Sequence, residues 1–137
     1  MRFVVEGAPR TKKNSQRIAR VKGRPILLQS RQHDAWAEAA ILQLRSQYPR
    51  AVRIVEVDRA RGVVTQGYGP IRSPLNLRAL IYRDRSVGDL GNYLAAVCDA
   101  LERAGVVEND RLIGGFDGSR LLVDRERPRV EIELSPL

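Results

Sequence analysis

The chain has 137 residues and a mass of 15.4 kDa, the size of one domain that buries roughly two-thirds of the surface its unfolded form exposes. Hydrophobic residues make up 43% and charged residues 29%, which excludes the disordered and membrane classes. No apolar run reaches the length of a signal peptide or a membrane span, so a cytoplasmic protein without membrane partners is expected. A single cysteine, Cys98, and a single histidine, His33, exclude an internal disulfide and a cysteine-cluster metal site, leaving oxygen donors to hold any metal.

The net charge is +8 with a pI near 10.5. Most of it lies in the first 25 residues, where Arg2, Arg10, Lys12, Lys13, Arg17, Arg20, Lys22 and Arg24 face Glu6 as the one acid. So concentrated a segment attracts phosphate and releases counterions, giving affinity that falls with salt. The plainer reading is a solvated basic tail.

In chain order, Arg2 to Val5 reads as an opening strand, and Gly7-Ala8-Pro9 turns the chain into the basic segment, expected as an extended loop or ribbon. Ser30 is placed to cap a helix running to about Gln47, with Trp36, Ala40, Ile41 and Leu44 on one apolar stripe; His33 falls on its surface side and Trp36 reads as a core anchor. Val52 to Val57 alternates as a strand, Gly62 to Pro74 reads as a turn-rich loop, and Leu75 to Tyr82 as a further strand. A second helix carries Leu94, Val97, Cys98 and Leu101 at helical spacing and ends at Gly105, where a left-handed cap belongs. Leu112 to Val123 and Arg129 to Leu134 read as strands joined through Asp124 to Pro128 as a terminal hairpin. The order β-α-β-β-α-β-β predicts a single α/β domain, a mixed sheet with two packed helices.

The chemistry concentrates around the second helix: Asp89-Leu90-Gly91-Asn92 at its start, Asp99-Ala100-Leu101 within it and Asn109-Asp110 beyond its end. Carboxylates brought together from Asp89 and Asp110 suit Mg²⁺, which takes one or two carboxylates plus water and substrate phosphate. Spacing alone does not decide whether they converge. Asp89 also suits the role of helix cap, Asp110 that of a turn residue, and Asn92 either a cap or a support behind the carboxylates. Cys98, on the apolar stripe, reads as core filling.

These motifs resemble the RusA-type Holliday-junction resolvases, a family of crossover junction endodeoxyribonucleases. The family signature is Asp-Leu-Asp-Asn-x-x-Lys, then a helix with Asp-Ala-Leu, a short turn after Gly, and an Asp-Asp pair. The opening Gly7-Ala8-Pro9-Arg10-Thr11-Lys12-Lys13-Asn14 is similar to the family's start. The resemblance implies a Mg²⁺-dependent (or Mn²⁺-dependent) endonuclease acting on four-way DNA junctions in recombination and repair, working as a symmetric homodimer and often carried by phage. It assigns metal binding and catalysis to Asp89 and Asp110, and DNA binding to Lys12, Lys13, Asn14, Arg17 and Arg20 in a DNA-contacting loop over residues 10–25. Two positions depart from the pattern: Gly91 stands where the family has its second aspartate, and Ala95 where it has its lysine. Asn109 likewise replaces the first member of the Asp-Asp pair. Asp84 or Asp117 are the candidates to supply a carboxylate instead, and Lys12, Lys13 or Arg85 a cation. The resemblance therefore carries a second expectation, a relative that binds branched DNA without cutting it. A basic structural or RNA-associated protein is a third, which preference for a junction over linear duplex would exclude.

Overall fold

The computed structural model describes residues 1–12, 17–28, 31–48, 53–58 and 63–137. Its sheet is built on strict alternation. Along Leu75–Arg83 (β6, after β1 to β5 below), Leu75, Leu77, Ala79, Ile81 and Arg83 turn inward and their neighbours outward, as a strand covered on one face requires. Arg129–Pro136 (β9) pairs antiparallel with it, setting Leu77 opposite Leu134, Ala79 opposite Ile132 and Ile81 opposite Val130. Arg2–Glu6 (β1) continues the layer on the far side of β9, with Phe3 opposite Ile132 and Val5 opposite Val130. A single apolar sheet face results.

Helix α1 (Arg31–Gln47) and helix α2 (Leu90–Arg103) bury that face. Trp36, Ala37, Ala40, Ile41 and Leu44 of α1 and Leu94, Val97, Cys98 and Leu101 of α2 join the sheet residues in one core. The expected stripes hold on both helices. Helix α2 ends as the sequence suggests: Gly105 takes φ +76°, its N–H donates to the Glu102 carbonyl, and Val106 N–H donates to Leu101. That pair of hydrogen bonds satisfies carbonyls a helix end would leave bare.

The basic segment forms a ribbon. Arg17–Val21 (β2) and Arg24–Leu28 (β3) pair antiparallel across a two-residue turn, Lys22-Gly23, with φ of +52° and +74°. Two positive φ values define the turn type whose twist matches that of the strands. Lys12 precedes the ribbon, whereas Lys13, Asn14 and the expected cap Ser30 lie outside the described residues.

Three expectations give way. The turn-rich stretch Gly62 to Pro74 contains a strand, Val63–Tyr68 (β5), whose backbone pairs antiparallel with Arg53–Asp58 (β4); its valines, threonine and tyrosine are residue types that favour extended backbone. The stretch Leu112 to Val123 is broken into Ile113–Gly115 (β7) and Arg120–Val123 (β8) by a turn over Phe116–Ser119. The terminal hairpin does not form either. Strands β7 and β8 run parallel to β6 along one side, whereas β9 lies antiparallel on its other side. The result is a mixed five-stranded sheet with two helices, α/β as predicted. Among the described residues no helix is long and apolar enough to cross a membrane.

Candidate active site

Asp89 stands where β6 gives way to α2, at the end of the loop 84–88. Arg83, at the last inward position of β6, is 9% exposed and spends its guanidinium on that loop: Nη1 donates to the Val87 carbonyl at 3.3 Å and the Gly88 carbonyl at 3.2 Å. Tyr93, one turn into α2, donates its hydroxyl to the same Val87 carbonyl at 2.8 Å. A buried cation surrounded by carbonyls is held firmly, because leaving either partner bare in the core is costly. Sequence reading passed over Arg83. Its signal was an arginine at an inward position of an otherwise apolar alternation.

Asp89 itself caps α2. Its Oδ1 accepts the Asn92 backbone N–H at 2.9 Å and its Oδ2 the Asn92 side-chain amide at 3.0 Å. Capping and metal binding do not exclude each other, since each carboxylate oxygen offers a second lone pair. Asn92 thus orients the carboxylate. Gly91 is exposed in the first turn; a Cβ built there would meet only Asp89 Oδ1, at 3.6 Å, an ordinary contact.

Beyond the far end of α2, Asn109 caps a single 3-10 turn, Asp110–Leu112, by accepting the Arg111 N–H at 2.9 Å. Asp110 opens that turn and is exposed. The turn packs on α2, and Asp110 bears on Cys98, whose thiol is pushed up to about 12 by burial first and by the charges of Asp110 and Asp99 second. Cys98 therefore stays a protonated, apolar core group at neutral pH, neither ligand nor nucleophile.

Among the described residues no three acidic, cysteine or histidine side chains gather as a metal cage. The donors that are present nevertheless suit Mg²⁺. Asp89 and Asp110 are exposed oxygen ligands, and that ion commonly takes one or two carboxylates and fills the rest of its shell with water and phosphate. The compensating carboxylates fare differently. Both oxygens of Asp84 are occupied by Arg10, at 2.8 and 2.9 Å, and this guanidinium holds the carboxyl below its usual range. Asp117 sits in the turn between β7 and β8, its backbone bonded to the Asn76 side chain through both N–H and carbonyl. Arg85 is exposed on the loop 84–88.

The ion pair from Arg10 to Asp84 roots the basic segment beside the loop that delivers Asp89. A second tie comes from His33, expected on the surface but 2% exposed, whose Nδ1–H donates to the Arg10 carbonyl at 3.1 Å. The ring also lies against Trp36, 6.5 Å between centroids. Burial costs an imidazole little when it is hydrogen-bonded, and this one holds the strand-to-ribbon corner. Trp36 is buried in the core as expected. Past this corner Lys12 shares a small cavity with Asn92, Ala95 and Ala96 of α2; Arg17 and Arg20 follow in β2.

The fold and this arrangement define an α/β domain in which the start of a basic segment is tied to the loop before a capped helix flanked by exposed carboxylates. The family model described as endodeoxyribonuclease RusA matches residues 6–135, and the chain belongs to that family. Among curated proteins no match was found.

Proposed function

We propose that the protein is a divalent-metal-dependent endonuclease that resolves four-way (Holliday) DNA junctions in recombination and repair. The observation that carries this reading is the Arg10–Asp84 ion pair, which ties the start of the basic segment to the loop ending at Asp89 in a chain matched by the RusA family over residues 6–135. Phosphate gripped by the segment 10–25 is thereby brought to the carboxylate-bearing helix.

In this reading residues 1–137 act as one unit in the cytoplasm. Lys12, Lys13, Asn14, Arg17 and Arg20 contact the DNA backbone, selecting by shape and charge instead of by base edges. Asp89 and Asp110 are the carboxylates that would hold Mg²⁺ or Mn²⁺. When bound, such a metal supplies an activated water and neutralises charge building on the scissile phosphate. Asn92 keeps the Asp89 carboxylate turned outward, and Arg83 with Tyr93 keeps its loop in place. Two symmetric strands are cut in a junction and one small subunit offers one set of carboxylates, so a two-fold homodimer belongs to the proposal.

A second reading, a protein that binds branched DNA without cutting it, is favoured by the exposed Gly91 and Ala95, which bring neither carboxylate nor ammonium to the helix. Cleavage of a labelled four-way junction with Mg²⁺ or Mn²⁺ separates the two. The nuclease reading expects paired, metal-dependent nicks that Asp110→Asn abolishes. Tight junction binding without nicks, with cutting gained only by Gly91→Asp combined with Ala95→Lys, establishes the second reading; the space at Gly91 accepts that side chain. Equal binding of linear duplex would remove both.

A further inference from the structure

The cavity shared by Lys12, Asn92, Ala95 and Ala96 measures about 140 Å³ and opens on the first turns of α2. Its chemistry is lopsided. Two alanines form a small, unreactive lining, Asn92 is half-buried with its amide committed to Asp89, and Lys12 is exposed. Among the described residues no hydrogen bond or ion pair engages the Lys12 ammonium. The nearby acids have other partners, Asp84 being held by Arg10 and Asp89 by Asn92.

Resting on the nuclease reading above, we propose that this cavity is a phosphodiester subsite in which Lys12 meets a non-bridging oxygen of the DNA strand that passes Asp89. A lysine is a compact point charge on a flexible stem and suits phosphate without fixed geometry. The small side chains at 95 and 96 leave the space that a phosphate group needs. Asn92 joins the two halves, holding the Asp89 carboxylate on one side and lining the cavity on the other. The cation needed beside the carboxylate thus arrives from the basic segment, across the corner that Arg10 and His33 hold.

Two measurements test the subsite. In isotope-labelled protein titrated with inorganic phosphate, without DNA or metal, the signals of Asn92, Ala95 and Ala96 should shift together in the wild type and stay still in Lys12→Ala. Restoring an ammonium from the helix, Lys12→Ala with Ala95→Lys, should bring the shifts back. On a four-way junction in Mg²⁺, Lys12→Ala should slow single-turnover cutting roughly 100-fold, the scale of losing one preorganised charge-stabilising contact, and the double variant should recover most of it. In chelator, Lys12→Ala should lower the slope of log affinity against log salt by about one phosphate contact. Phosphate shifts that spare these residues, or that survive Lys12→Ala, overturn the proposal. So does a Lys12→Ala variant that binds and cuts as the wild type does. Local phosphate shifts in a protein that cuts no junction would sink the nuclease reading and leave the subsite standing.

Discussion

The two ends of α2 carry the two candidate metal ligands and are built in opposite ways. At the entrance, Asp89 follows a loop pinned by a buried arginine, a tyrosine hydroxyl and the Arg10–Asp84 pair, and both its oxygens are engaged by Asn92. Beyond the exit, Asp110 opens a single 3-10 turn held by the Asn109 cap, and its side chain is exposed. One carboxylate is held by hydrogen bonds to its own oxygens; the other is carried by a turn whose cap is made by its neighbour Asn109. The contrast teaches that the fold orients the Asp89 side chain directly and Asp110 only through the backbone that carries it.

The largest break in this comparison should come from Arg83→Met. Removing the buried guanidinium leaves the Leu122, Val87 and Gly88 carbonyls without its hydrogen bonds, at a cost of about 3 kcal/mol measured by urea unfolding. Less severe is Asp89→Ala, which removes the cap of α2 and should cost about 1 kcal/mol. The matching change Asp110→Ala should leave the unfolding midpoint within about 0.5 kcal/mol of the wild type, as expected for an exposed side chain away from a core contact. Equal losses at the two aspartates would erase the distinction drawn between the ends.

Acid should reveal a modest effect. Asp84 has its folded-state pKa lowered by Arg10, so the stability it contributes is present above the ordinary carboxylate range near 4 and disappears as the pH falls through the lower folded value. Relative to wild type, Asp84→Asn should be destabilised at pH 7 by no more than about 1 kcal/mol, a partly exposed pair being worth little more. The difference should vanish in strong acid, where both side chains are neutral. A difference unchanged between pH 7 and strong acid would show that the pair does not tie the start of the basic segment to the loop.

Much of this molecule is legible in the chain itself. Both helices follow from their apolar spacing, the end of α2 from Gly105, and the inward face of β6 from alternation, because these are local consequences of backbone geometry and side-chain size. The ordered blocks around α2 and the opening Gly-Ala-Pro-Arg stretch likewise point to the RusA family, whose model spans residues 6–135. The strand β5 was harder to read. It sits between stretches rich in turn residues, and its pairing with β4 is a contact of neighbours that composition does not announce.

What tertiary structure alone decided is which partners distant segments find. Whether β8 and β9 form a hairpin depends on β6 coming between them, and nothing in residues 112–136 encodes that insertion. His33 is buried because the corner after β1 folds over α1 and offers it the Arg10 carbonyl, a partner 23 positions away. Asp84 becomes an anchor only when Arg10, 74 positions earlier, reaches it. Local spacing determined the elements and their faces; the long-range pairings that tie Arg10 and His33 to the corner beside the loop that delivers Asp89 arise only when the whole core closes, since each needs a partner that its own neighbourhood does not contain.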